Sequence, residues 1–215
     1  MDCGGFPKPQ LDTLLRAQLP DITGALRHIR NSTRQMDGLL KGLLKLSRLG
    51  RAALEIRPLD MNELLARVAS TFQYQIREAG ADLRVANLPP CRGDDVQVVQ
   101  VFANLIGNAL KFREPTRPAV IAVSGVAEYG RCVYCVADNG IGIPPDKLEK
   151  IFELFHRLDP AKTEGEGLGL TIVRQILGRL QGEIRVESTP GVGSRFTVSL
   201  PKENASQIEN TEAGP

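Results

Sequence analysis

Three short stretches of this chain carry residues whose types and spacing could do chemistry. In QVVQVFANLIGNALKF, Asn104, Asn108 and Lys111 stand at i, i+4 and i+7. At about 100° per residue they share one helix face within roughly 60°. Val98, Phe102, Leu105, Ala109 and Phe112 cover the neighbouring face. Two amides and an ammonium in line are costly if buried without partners. An amide carbonyl is a hard oxygen suited to Mg2+, and a lysine offers phosphate a point charge. The stripe therefore reads either as a solvent-facing polar face or as a metal–phosphate site.

The second stretch is DNGIGI, where an apolar strand ends at Asp138 and glycines begin. Gly140 and Gly142 allow positive φ and close backbone approach to a flat ligand. A carboxylate at the floor of an apolar pocket can accept from an exocyclic amine, which matches adenine and not guanine. The plain alternative is an Asx-type turn closed by glycines. The third stretch is GEGLGLTIVRQIL, with Gly165, Gly167 and Gly169 alternating just before a helix. Free N–H groups at a helix N-terminus make an anion site. No G-K-[ST] follows, so this is not a Walker loop.

These residues need elements to hold them. Asp21 is a candidate N-cap for a long helix. In it, Ile22, Leu26, Ile29, Thr33, Met36, Leu40 and Leu43 step by four and three alternately. That is the seam of a coiled coil or helical bundle about three heptads long. Gly50 is its stop. LEIRPLD reads as a short strand, and Asp60 caps a second helix from Met61 to about Ala79. ADLRVANL is a strand, LPPCRGD a turn, and Asp94 or Asp95 opens a third helix that ends before Pro115. AVIAVSGVA and RCVYCVAD form a hairpin. A fourth helix is predicted near 145–154 and a fifth from the glycine-rich loop to about Leu180. GEIRVES and SRFTVSLP form the last hairpin, turned by TPGVG. The predicted fold is α+β, a two-layer sandwich of one mixed sheet with helices on one face. The domain reading is 1–57 for the helical region, 58–201 for the sandwich and 202–215 for a polar, disordered tail.

Composition narrows the partners. The 215 residues are 42% apolar with a net charge of +2. Residues 1–57 hold ten Lys and Arg against five Asp and Glu. That excess reads as a solvated helix face and not as a nucleic-acid surface. Cys132 and Cys135 form C-x-x-C inside a strand, where residues three apart point to opposite faces. They read as packing residues and not as a zinc or redox pair. Free thiols, the lack of an 18-residue apolar run and a start without an apolar signal core suggest a cytoplasmic protein.

The order of the motifs says more than any one of them. Asn-x-x-x-Asn-x-x-Lys on a helix is followed by a strand ending in D-x-G-x-G, then F-x-x-F, then G-x-G-x-G into a helix. From about Pro58 to Pro201 the chain resembles the ATP-binding catalytic domain of sensor histidine kinases, within the gyrase, chaperone, kinase and mismatch-repair ATPase superfamily. NLIGNALKF resembles the N box, DNGIGI the first glycine box, IFELFHRL the F box, GEGLGL the second glycine box and GVGSRFTVSLP the final hairpin. The resemblance implies a Bergerat-type fold that binds Mg-ATP. Asp138 would bind the adenine amino group, Asn108 would hold Mg2+ with Asn104 beside it, and Lys111 would face the phosphates. Asn104 and Lys111 are the candidates for the catalytic step. Gly140, Gly142, Ile143, Gly165, Gly167, Leu168 and Gly169 would shape the pocket and lid. Phe152 and Phe155 would pack at the base of a lid spanning about Asp159–Glu166.

MDGLLKGLLKLSRLGR resembles the second helix of the dimerisation and phosphotransfer hairpin, above all in phytochrome-like kinases. That implies a homodimer, a histidine acceptor and a response-regulator receiver domain as partners. No H box is present: the only histidines are His28, followed by Ile-Arg-Asn, and His156 in the F box. The acceptor histidine is expected upstream of Met1, and self-phosphorylation of this chain is not expected. Two rivals remain in the sequence. One is a clamp-type ATPase of the same superfamily, which would carry a glutamate where Asn104 stands. The other is a degenerate kinase that dimerises as a scaffold.

Overall fold

The computed structural model describes residues 53–154 and 167–202 throughout, and positions 26, 29, 30, 32, 33, 36, 37, 40, 42, 43 and 44 of the preceding segment. The chain divides into two compact units, Met1–Ser47 and Arg48–Pro215. In the first unit every described position from 26 to 44 is helical (α1). The seam residues Leu26, Ile29, Met36, Leu40 and Leu43 lie on α1 and are each about 60% exposed. The expected cap at Asp21, the seam position Ile22, His28 and the stop at Gly50 lie outside the described residues.

The second unit begins with strand β1, Arg57–Leu59, and helix α2, Met61–Thr71. Asp60 caps α2 by accepting from the backbone N–H groups of Asn62 and Glu63 at 2.8 and 3.2 Å, which satisfies donors that a helix start leaves orphaned. Met61, Leu64, Leu65 and Val68 form its buried stripe. The expected single helix to Ala79 is broken at Phe72, and a separate helix α3 spans Gln73–Ala79. The hydroxyls of Ser70 and Thr71 donate back to the carbonyls of Arg67 and Val68 at 2.7 Å. Such bonds compete with the helical ladder, and the Phe72 ring packs against Gly107.

Strand β2, Asp82–Val85, follows, then β3, Cys91–Gly93, and helix α4, Asp95–Lys111. LPPCRGD is therefore not only a turn: β3 pairs antiparallel with β1. That pairing joins segments more than thirty positions apart, so no local signal announces it. Asp94 caps α4 through Gln97 N–H at 3.0 Å. Val98, Val101, Phe102, Leu105, Ile106, Ala109 and Leu110 turn inward from α4.

Strands β4, Val120–Glu128, and β5, Arg131–Asp138, form the expected hairpin. Helix α5, Gly169–Arg179, leads to the final hairpin of β6, Glu183–Thr189, and β7, Gly193–Pro201. The main sheet runs β2-β4-β5-β7-β6, with β2 parallel to β4 and every other pair antiparallel. Burial alternates along β5, with Cys132, Tyr134 and Val136 facing the helices. Cys132 is fully buried, whereas Cys135 points to the other face and meets Arg195. The mixed sheet and its helical layer are as expected from the sequence.

The expected fourth helix is absent. Residues 145–154 hold two single 3-10 turns, Pro145–Lys147 and Lys150–Phe152. Pro144 and Pro145 contribute no N–H to a helical ladder. The Thr171 hydroxyl also lies 3.1 Å from both the Phe152 and Glu153 carbonyls, which a continuing helix would use itself. Among the described residues, no helix is long and apolar enough to cross a membrane.

Tyr134 joins the two layers. Its ring meets Phe102 of α4 edge-on at 5.7 Å, and its hydroxyl donates to the Pro89 carbonyl at 2.7 Å. Burial pushes its pKa well above the ordinary value. Tyr134→Phe leaves that carbonyl without its partner, so urea unfolding should show a loss of about 1–3 kcal/mol. An unchanged midpoint would mean that the bond contributes nothing net.

Candidate functional site

The centre of β5 ends at Asp138, a half-buried carboxylate. Its Oδ1 accepts from Gly140 N–H at 2.8 Å and from Ser194 N–H, at the start of β7, at 3.3 Å. Its Oδ2 accepts no hydrogen bond from another described residue. Burial raises the pKa of Asp138 above the ordinary carboxylate value. The two backbone donors and the Arg117 charge pull it partly back. The group is thus fixed by one oxygen and open at the other, as an acceptor for a ligand donor must be.

The glycines around it answer two different needs. Gly142 has φ +70°, and a Cβ there would lie 2.1 Å from the Thr189 carbonyl oxygen. Gly140 has no positive φ, contrary to the expectation for both glycines. It is required by crowding, because a Cβ would lie 2.4 Å from the Phe112 carbonyl oxygen and 2.9 Å from Asp138 Oδ1. The floor of the turn is the β6–β7 connection. Gly191 N–H donates to Ile141 C=O at 2.7 Å, and Ile143 N–H donates to Ser188 Oγ at 2.8 Å. Ile143 itself is buried.

The α4 stripe emerges as the spacing predicted: Asn104 and Asn108 are half-buried, and Lys111 is exposed at the C-terminal end. The Asn104 Nδ2 donates to Gln100 C=O at 2.9 Å. Its Oδ1 faces Gly169, where a Cβ would come within 3.2 Å, with Asn108 Nδ2 at 3.9 Å. The first residue of α5 therefore lies against both amides. The Lys111 ammonium sits 5.0 Å from the centre of the Phe112 ring. A half-buried face with the Asn104 amide oxygen and the Asn108 amide, opposed by a glycine with no side chain to fill the space, fits a hard cation that also touches phosphate once the Asn108 amide turns its oxygen inward.

Gly167 has φ +71°, and Leu168 is buried ahead of α5. Phe152 is buried and lies 5.7 Å under the Arg174 guanidinium. Phe155, His156, Gly165 and the lid region 159–166 lie outside the described residues.

Several residues at the site were not singled out from the sequence. Arg117 donates to four backbone carbonyls: Asn139 at 2.8 Å, Gly140 at 2.9 Å, Gly191 at 2.8 Å and Val192 at 3.0 Å. Asn139 ties the turn to β4, accepting from Val120 N–H at 2.8 Å and donating to Pro118 C=O at 2.9 Å. Ser188 and Ser194 meet Oγ to Oγ at 3.0 Å. Gly193 has φ +143°, and a Cβ there would stand 2.0 Å from the Asp138 carbonyl oxygen. The glycine doublet in GVGS was a usable signal for the last of these. Nothing local marks Arg117, whose partners lie up to 75 residues away.

Comparisons with known proteins bear on this geometry. Residues 93–204 match the model of the family described as Histidine kinase-, DNA gyrase B-, and HSP90-like ATPase. The phytochrome-like protein Cph1 of Synechocystis sp. is 35% identical over 77% of this chain and 22% of its own length. The structure of the catalytic domain of histidine kinase ThkA is 28% identical, with a TM-score of 0.60, covering 69% of this chain and 98% of that one. The full-length ShkA structure, in complex with AMPPNP, is 31% identical with a TM-score of 0.66, covering 85% of this chain and 39% of that one. The chain thus spans about a fifth to a quarter of the length of the first curated relatives it matches, 22% and 23%. Because the family match takes in over half of the chain, from the end of β3 through α4, Asp138 and α5 past the end of β7, this protein belongs to the histidine kinase-, DNA gyrase B- and HSP90-like ATPases.

Proposed function

We propose that this chain is the ATP-binding catalytic part of a sensor histidine kinase, and that the whole protein moves the γ-phosphoryl group of ATP to a histidine and then to a receiver-domain aspartate. The observation that carries the reading is the meeting of three motifs. Asp138 closes one end of the site, while the two amides of α4 lie against the glycine that opens α5. In this reading Asp138 Oδ2 accepts from the adenine amino group, and Gly140 and Gly142 let the backbone approach the base. Asn108 holds Mg2+ with Asn104 beside it, and Lys111 faces the phosphates. Bound Mg2+ supplies neutralisation of phosphate charge. The contribution of the protein is positioning and electrostatics, as phosphoryl transfer requires little else.

An amide at position 104, with its Nδ2 committed to Gln100, is no general base. That disfavours the clamp-type ATPase reading. The exposed α1 seam supports a helical partner, for which a second copy of the chain is the proposed occupant. The acceptor histidine is proposed to lie on a phosphotransfer helix and not to be one of those in this sequence, and the cytoplasm is the proposed compartment.

Asp138→Asn tests the base contact. Its Oδ1 can still accept from Gly140 and Ser194, but the amide cannot offer the second acceptor of a carboxylate. Calorimetry should show ATP affinity about ten- to a hundred-fold lower, with the parent preferring ATP to GTP. Stability should move the other way. The folded pKa of Asp138 lies above its unfolded value, so folding takes up a proton between the two. Stability from this group falls as pH rises through that window. At pH 7 the Asn variant should therefore be as stable as the parent or more so. Equal parent affinity for GTP and ATP would defeat the assignment.

Asn108→Ala should abolish most of the improvement that Mg2+ brings to ATP binding while sparing Mg2+-free binding. Equal losses in both would make Asn108 structural. In sedimentation the chain should self-associate through α1, and Leu40→Glu with Leu43→Glu should reverse this. A monomer at high concentration would show that the seam is not a self-association surface.

A further inference from the structure

We propose that Arg117 is a positioning residue for nucleotide recognition, locking the first glycine turn to the β6–β7 turn so that Asp138 presents one fixed, open oxygen to the base. The inference rests on the nucleotide reading above and concerns a residue outside every motif. Arg117 precedes β4 and reaches two segments far apart in sequence. Its Nε bonds Asn139 C=O at 2.8 Å. Its Nη2 lies 2.9 Å from Gly140 C=O, 2.8 Å from Gly191 C=O and 3.0 Å from Val192 C=O.

The Asn139 and Gly140 carbonyls flank the first N–H that holds Asp138, and the Gly191 and Val192 carbonyls lie just before the second. Gly140 donates its own N–H to Oδ1, and Ser194, two residues after Val192, donates the other. Bonding Asn139 C=O fixes the peptide unit that carries the Gly140 N–H, and bonding Gly191 and Val192 C=O fixes the turn that leads into Ser194, whose preceding Gly193 C=O is held by Ser188 Oγ. The planar guanidinium suits this task, because its donors fan out in one rigid fork. A lysine ammonium keeps the charge but is a compact head on a flexible stem and cannot span the same set. The Arg117 charge also favours the ionised form of Asp138.

The experiment compares the full 215-residue chain with Arg117→Ala and Arg117→Lys. ATP affinity is measured by calorimetry with and without Mg2+, and amide hydrogen exchange at Gly140 and Ser194 is followed without nucleotide. Arg117→Ala is expected to weaken Mg2+-free ATP binding by about ten-fold, the scale of one lost charge-assisted hydrogen bond. Arg117→Lys is expected to lie between it and the parent. The factor by which Mg2+ improves binding should stay unchanged in both, because the α4 amides are untouched. Exchange at Gly140 and Ser194 should speed up in both. If Arg117→Ala does not fold, the lysine variant decides alone. Parent-like affinity and exchange in folded variants would overturn the proposal, as would a fall in the factor by which Mg2+ improves binding. Failure of the unmodified chain to bind ATP would overturn the nucleotide reading itself, and this proposal with it.

Discussion

A half-buried carboxylate held by one oxygen is the constraint around which the site is built. Removing a charge from water is costly unless hydrogen bonds replace the lost solvation. For Asp138 the replacements are two backbone N–H groups on Oδ1, one from its own turn and one from β7. For both to converge, two turns must press against the end of β5 with no side chain between. A Cβ at Gly140, Gly142 or Gly193 would lie 2.4 Å or less from a backbone oxygen. The tightness of this corner follows from the need to satisfy one oxygen while leaving the other open.

The rest of the sandwich makes that corner rigid. β5 is the central strand, paired on both sides over its whole length with β4 and β7. Phe102 and Tyr134 lock α4 onto it. The Phe112 backbone just past α4 accepts from Ile141 N–H at 3.0 Å, so the helix that carries the amides also touches the glycine turn. The amide face and the carboxylate floor are thus positioned by the same helix and the same strand. This is how α4 comes to touch both the glycine turn after Asp138 and the start of α5. Burial raises the pKa of Asp138, so keeping this carboxylate ionised in the corner costs stability.

Most of the fold was legible because periodicity reports burial. The strands of both hairpins, the α4 stripe and the caps at Asp60 and Asp94 each have a local physical cause. The misses have mixed causes. The β1–β3 pairing joins segments distant in sequence, the break at Phe72 goes with local bonds from Ser70 and Thr71, and the loss of helix after Pro144 combines the local prolines with the distant Thr171 hydroxyl. Of the candidate site, Asp138, Asn104, Asn108 and Gly142 were singled out because their types and spacing suggest chemistry. Arg117 and Ser194 could not, since an arginine before a strand and a serine within one are ordinary until the tertiary contacts exist. Gly140 was found for an incomplete reason: its need is crowding and not backbone conformation.

The most direct test of the central claim is a crystal structure of this chain with a non-hydrolysable ATP analogue and Mg2+. The account predicts the adenine amino nitrogen within about 3 Å of Asp138 Oδ2, with Oδ1 still held by Gly140 and Ser194. It also predicts the phosphates near the Asn104–Asn108 face and Gly169. An analogue bound elsewhere, or bound here with its base turned away from Asp138, would contradict it.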